Sequence, residues 1–185
     1  MVNFYTADPH FGHEAILRFE NRPFSSIEEM DETMLANLKK ALGSRDTLYI
    51  LGDFVWAKSH EEDRVRKLLR AIPGKKVLVT GNHDPHWVTH LPEWEAVHEM
   101  IEVKEDGQRL TLCHYPLITW PGVRYGALCA FGHVHGNWRG SRGCVNVGVD
   151  VFDFKPVTLF EIRKRSRELQ VNPLLAKLEP GFIPD

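Results

Sequence analysis

Five times along this chain a short apolar run stops at a polar cluster. Val2-Asn3-Phe4-Tyr5-Thr6-Ala7 meets Asp8-Pro9-His10, and Thr47-Leu48-Tyr49-Ile50-Leu51 meets Gly52-Asp53. Lys76-Val77-Leu78-Val79-Thr80 runs into Gly81-Asn82-His83-Asp84. Leu110-Thr111-Leu112-Cys113 ends at His114, and Ala127-Leu128-Cys129-Ala130-Phe131 ends at Gly132-His133-Val134-His135. Runs this short, rich in β-branched and aromatic residues, read as buried strands. Each strand then delivers its polar residues at its carboxyl end, the edge where open α/β sheets bind ligands.

Helical patterns separate the early strands. One covers about Ile27 to Leu42, with Ser26 and Glu29 placed as a capping box. A second covers about His60 to Ala71 and stops before Pro73-Gly74. A third begins after Thr158, with Glu161 at the capping-box position, and carries Arg163-Lys164-Arg165. From Ala96 to Cys113 the pattern changes to two strand-like runs around Asp106-Gly107, a hairpin turn. Strand-helix alternation followed by antiparallel pairing predicts a mixed α/β fold, two packed mixed β-sheets flanked by helices. A length of 185 residues, with no repeat and no linker, suits a single domain over 1–185. The stretch from about 172 to 185 holds Pro173, Pro180, Gly181 and Pro184 and reads as an irregular tail.

Charge narrows the function classes. The formal net charge of -2 argues against gripping long nucleic acid. Cys113, Cys129 and Cys144 are odd in number and widely spaced, which suits small core residues in a reducing setting. No secretory pattern precedes Asp8, and no apolar run reaches the ~18 residues needed to cross a bilayer. A cytoplasmic protein is the expectation.

The ten histidines matter more, because several fall in the strand-end clusters. Buried ionisable groups without partners are costly. Asp, His and Asn brought together from five places therefore call for cations. An oxygen and imidazole donor set without thiolate suits manganese, iron, zinc, nickel or magnesium. Asp8-x-His10, Gly52-Asp53, Gly81-Asn82-His83-Asp84, His114 and Gly132-His133-x-His135 resemble, in order, the five motifs of the calcineurin-like metallophosphoesterase superfamily. The resemblance runs from about Val2 to Asp150. It implies a four-layer α/β/β/α sandwich holding two divalent ions, manganese foremost. Asp8, His10 and His135 would bind one ion, and Asn82, His114 and His133 the other, with Asp53 between them. It further implies hydrolysis of phosphate esters, phosphodiesters foremost, by a hydroxide shared between the ions. His83 would face the substrate, stabilise the phosphoryl group and protonate the leaving oxygen. Asp84 would orient His83 or cap the following helix, and both readings stay open.

Other residues have plainer readings. His13 is expected to start a short helix, Glu14 to Phe19, in a supporting role. His60, His86, His90 and His98 have no motif and read as surface or packing residues. Trp120, Tyr125 and Trp138 are placed to stack on a nucleobase or to cover the sheet edge, the second being the plainer expectation. Arg124, Arg139 and Arg142 are candidates for a substrate phosphate, and Arg163-Lys164-Arg165 with Arg167 for touching nucleic acid or, the plainer expectation, for a solvated helix face. Gly52-Asp53 continues as Phe54-Val55-Trp56, without the Asp-Arg-Gly of the protein Ser/Thr phosphatases, so a phosphoprotein substrate is disfavoured. A small phosphate ester is the expected substrate. A nuclease acting on short DNA or RNA and a catalytically silent protein-binding scaffold are the rivals.

Overall fold

In the computed structural model, which describes residues 1–182, each of the five apolar runs is a strand. In chain order the elements are β1 (Asn3–Thr6), α1 (Ile16–Phe19), α2 (Ile27–Ala41), β2 (Thr47–Leu51), α3 (Glu62–Ala71), β3 (Lys75–Val79), α4 (His86–Thr89) and β4 (Ala96–His98). There follow β5 (Met100–Glu105), β6 (Gln108–Cys113), β7 (Leu128–Phe131), β8 (Gly140–Ser141), β9 (Cys144–Asn146), β10 (Val157–Thr158), α5 (Leu159–Glu168) and α6 (Pro173–Leu178). The strands make two mixed sheets of five, ordered β10-β1-β2-β3-β4 and β5-β6-β7-β9-β8. In the first, β1 to β4 are parallel and β10 is antiparallel to β1. In the second, β6, β7 and β9 are parallel, with antiparallel strands at both edges. The expected fold class is the observed one.

Period-two alternation explains the layers. On β2, Leu48 and Ile50 face a core shared with Met30, Met34 and Leu38 of α2 and Val65 and Leu69 of α3. Leu51, with Tyr5 and Val79, faces the other way, onto Leu110, Leu112, Ala130 and Val145 of the second sheet. The outer face of that sheet, with Cys129, Phe131 and Cys144, is covered by Trp120, Val123 and Leu175. Tyr5 also ties the sheets with a hydroxyl that donates to Glu105, 2.6 Å away. All three cysteines are buried thiols.

Local chemistry sets the ends of the elements. Asp106 and Gly107 both have positive φ, 47° and 78°, the pair a tight hairpin of this hand requires. The run before them divides: β4 pairs with β3 in the first sheet, and β5 crosses to the second. Thr158 and Glu161 form the expected capping box on α5. On α2 only half of the expected box forms. Ser26 Oγ accepts from the Glu29 N–H at 3.2 Å, while the Glu29 carboxylate turns to Ser25. The first helix is shorter than expected, Ile16–Phe19.

The expected irregular tail needs correction. Residues Pro173–Leu178 are helical, with Asn172 accepting the Leu174 N–H at 2.9 Å as N-cap. Proline at the first helical position loses no hydrogen bond, because that N–H has no partner inside the helix. Leu175 is fully buried in the outer core, which holds the helix down. Residues 183–185 of that tail lie outside the described residues. Among the described residues no helix is long and apolar enough to cross a membrane.

Candidate metal centre

The chain turns sharply after each of these strands. Asp8 (φ 56°), His10 (52°), Asp53 (53°), His133 (70°) and His135 (49°) all occupy the left-handed region. Non-glycine residues seldom adopt it, and when several do so together they mark a functional site. Gly52 shares the region, with φ 82°, and a Cβ there would overlap the His114 ring and meet Gly81 Cα at 2.7 Å. Only glycine lets these loops close on one another.

The junctions bring the polar side chains together. One oxygen of Asp53, Oδ2, lies 3.5 Å from Nε2 of His10 and 3.6 Å from Nε2 of His114. Asn82 Oδ1 is 3.0 Å from the same His114 nitrogen. Asp8, His10 and His135 present ligand atoms within 4.8 Å of one another, as do Asp8, Asp53 and His114. The His133 ring stands edge-on to His114, with centroids 5.1 Å apart. Asp8, His10, Asp53 and His114 are buried, while Asn82 and His83 lie at the open side.

This cluster fits cations. His10 Nε2 is buried without a hydrogen-bond partner, and that orphaned atom faces the Asp53 oxygen. Burial pushes the Asp8 carboxyl up to about 8 and drives His10 down to about 2. Both shifts have the same first cause, burial that disfavours the charged form of each side chain. Two other imidazoles are anchored through Nδ1: His114 Nδ1 bonds the Leu51 carbonyl at 2.8 Å, and His135 Nδ1 bonds Asp150 at 2.9 Å. Such anchors turn the opposite nitrogen toward a ligand position.

Asp84 does something neither expectation foresaw. Its carboxylate accepts the N–H groups of Gly81, Asp53 and Phe54 at 2.7, 3.0 and 2.8 Å. It therefore neither orients His83 nor caps α4, whose N-cap is Pro85. A short carboxylate with its oxygens already engaged by three backbone donors buckles the loop after β3 to the loop after β2. His83 has its own backbone N–H on Asp53 Oδ1 at 2.8 Å, and its ring lies 5.7 Å from His10.

Residues 4–174 match the family described as calcineurin-like phosphoesterases. The chain belongs to that family. An uncharacterized protein of Methanocaldococcus jannaschii is 31% identical over 160 residues, which cover 83% of this calcineurin-like phosphoesterase and 84% of the relative. A crystal structure of an Aquifex aeolicus protein of unknown function superposes with a TM-score of 0.73 at 29% identity, covering 88% of this chain and 98% of that one. The Gene 66 protein of Mycobacterium phage L5 shares 32% identity over a shorter stretch, 44% of this chain and 40% of its own length.

Other sequence candidates lie outside the cluster. Trp120 is buried and donates to the Ala127 carbonyl at 2.8 Å, and Trp138 packs on Phe131. Tyr125 is 90% exposed. Arg124 is paired with Glu179, and Arg142 donates to the carbonyls of Leu169 and Arg167, so both are committed to the fold. Arg139 is exposed on the turn before β8. His86 and His90 touch each other beside α4, with centroids 4.2 Å apart.

Three supporting residues of this calcineurin-like phosphoesterase escaped sequence reasoning. Buried Arg22 grips both oxygens of Asp150 at 2.8 and 2.9 Å and donates to the carbonyls of Asp8 and Pro9. Burial alone would raise Asp150, but the His135 hydrogen bond and the Arg22 charge hold it below the carboxylate range. Asn146 bonds the carbonyls of His135 and Trp138 and accepts the Gly148 N–H. Asp150 carried a faint signal, a carboxylate closing the apolar stretch from Val145 to Val149. Arg22 carried none.

Proposed function

We propose that this protein hydrolyses phosphate esters, phosphodiesters foremost, at a two-ion centre held by Asp8, His10, Asp53, Asn82, His114, His133 and His135. The observation that carries this reading is the Asp53 oxygen set about equally far from imidazole nitrogens of His10 and His114. Divalent ions bound there, manganese foremost, would supply an activated water and positive charge for the phosphoryl oxygens.

The chain's own residues would do the rest. Arg22 and Asp150 hold the turn of Asp8 and the ring of His135 rigid. His83, exposed beside Asp53, reaches the departing oxygen and donates a proton to it. No covalent enzyme intermediate is required. The small charge imbalance favours a compact ester over a long polymer.

The test strips the protein with a chelator and restores manganese, iron, zinc, nickel or magnesium in turn. Hydrolysis is followed on bis(p-nitrophenyl) phosphate, p-nitrophenyl phosphate and short DNA and RNA. Turnover is expected on the diester with manganese, at a metal content of about two ions per chain. Asp53→Asn should lower metal content and turnover together. A metal-loaded protein idle on every ester would leave the silent scaffold as the better reading, and cleavage confined to oligonucleotides would make it a nuclease.

A further inference from the structure

Two half-exposed aromatic side chains border the centre, one from each sheet. Trp56, 48% exposed, follows β2, and Tyr115, 46% exposed, follows β6. Trp56 lies face to face on His13, with centroids 4.4 Å apart and planes 10° from parallel, and is 5.7 Å from the His83 ring. Its loop is pinned by a hydrogen bond from the Trp56 N–H to the Phe11 carbonyl, 2.9 Å. Tyr115 stands edge-on to His133 at 4.6 Å and to His114 at 5.0 Å.

Contacts run in a row from Trp56 through His83 to His10, across the Asp53 oxygen to His114, and on to Tyr115. The two aromatics thus end the row, with Asp53 in its middle. Single exposed aromatics are ordinary on a protein surface. Here each flanks a different part of one polar cluster, Trp56 beside His83 and Tyr115 beside His133 and His114. A phosphodiester has matching symmetry, with phosphorus between two ester arms, whereas a monoester has one arm.

We infer that Trp56 and Tyr115 are stacking walls for a phosphodiester that carries a flat ring on each arm, either a nucleobase or an aryl group. The inference names the substrate class of the proposed reaction, and only its kinetic arm rests on that reading. His83 is on the Trp56 side, so Trp56 takes the leaving arm and Tyr115 the retained one.

The kinetic arm uses manganese-loaded protein with bis(p-nitrophenyl) phosphate and methyl p-nitrophenyl phosphate. These share a leaving group and differ in the second ring. Tyr115→Ala is expected to lower the ratio of the two kcat/KM values about tenfold, mainly through KM, with Tyr115→Phe restoring it. Trp56→Ala should raise KM for both esters, with Trp56→Phe restoring it. Equal losses on both esters in Tyr115→Ala, or ring-bearing variants no better than alanine, would overturn the assignment.

The binding arm needs no turnover. Calorimetric titration compares thymidine 5′-phosphate, phenyl phosphate and methyl phosphate. Both ring-bearing ligands are expected to bind more tightly than methyl phosphate, and removing both rings in a Trp56→Ala, Tyr115→Ala double variant should erase about tenfold of that advantage. Tighter binding of the thymidine ligand identifies nucleobases as the rings, and the reverse order identifies aryl groups. Affinities that ignore the ring, or a ring preference that survives the double variant, refute the walls. A wild type that hydrolyses neither diester yet shows the ring preference would sink the reaction while keeping the walls.

Discussion

His83 is where binding and turnover can be separated. Its backbone, not its ring, is tied to Asp53, so removing the ring leaves the prospective ligands in place. His83→Ala is expected to retain metal by elemental analysis and to lose about 3 kcal/mol of transition-state stabilisation, roughly a hundredfold in kcat. Undiminished kcat in a loaded variant would remove His83 from the mechanism. A second residue-scale prediction concerns Asp31 on α2, whose carboxylate accepts the Gly12 N–H at 3.0 and 3.2 Å. Burial, only partly offset by that bond and by Arg64, pushes its carboxyl up to about 6. A folded value above the unfolded one favours the protonated form, so this contribution is complete below about pH 4 and lost as pH rises through 6. Asp31→Asn should keep the hydrogen bond and flatten the profile, gaining about 1–2 kcal/mol at pH 8 after allowing for partial exposure. Denaturant midpoints at pH 4, 6 and 8 check it, and parallel wild-type and variant profiles would contradict it.

At the scale of elements, the site depends on strand ends more than on strands. The apolar runs and the residues that close them were legible because burial and alternation leave a local pattern. The left-handed turns at Asp8, His10, Asp53, His133 and His135 were not, since nothing local demands them. They persist because neighbouring loops hold them: Asp84 clamps the turn after β2, and both Asp8 oxygens accept the His133 N–H at 2.9 Å. The role of Asp84 was hidden for the same reason, because two of its three donors lie about thirty residues earlier. Helix α6 is the other element that the sequence obscured. Its prolines suggested irregular chain, but Leu175 supplies an anchor that composition does not reveal. Leu175→Ala should cost about 3 kcal/mol in chemical denaturation through lost burial and the cavity left behind. A loss below about 1 kcal/mol would mean that α6 is not held by this contact.

At the scale of the molecule, the centre joins both sheets and their connections, so loading should stabilise the whole fold. Asp8, His10, Asp53 and Asn82 follow strands of the first sheet, and His114, His133 and His135 follow strands of the second. At a metal concentration about a hundred times Kd, binding to the folded state alone adds about 2.7 kcal/mol. For a chain of this size that is roughly 5–10 °C in Tm. Thermal scans of chelated and manganese-loaded protein check this, and identical curves would mean that the cluster takes up no ion. The sequence alone determined the mixed α/β class, most strand positions and the capping of α5, because hydrophobic period and residue chemistry are local properties, whereas the seven cluster residues were picked out by their resemblance to the family's motifs. Tertiary structure alone decided that Arg22 and Asp150 brace the cluster, that Trp120 is core, and that Trp56 and Tyr115 stand at its mouth. Each of those roles is a contact between residues far apart in the chain, which no local pattern can encode.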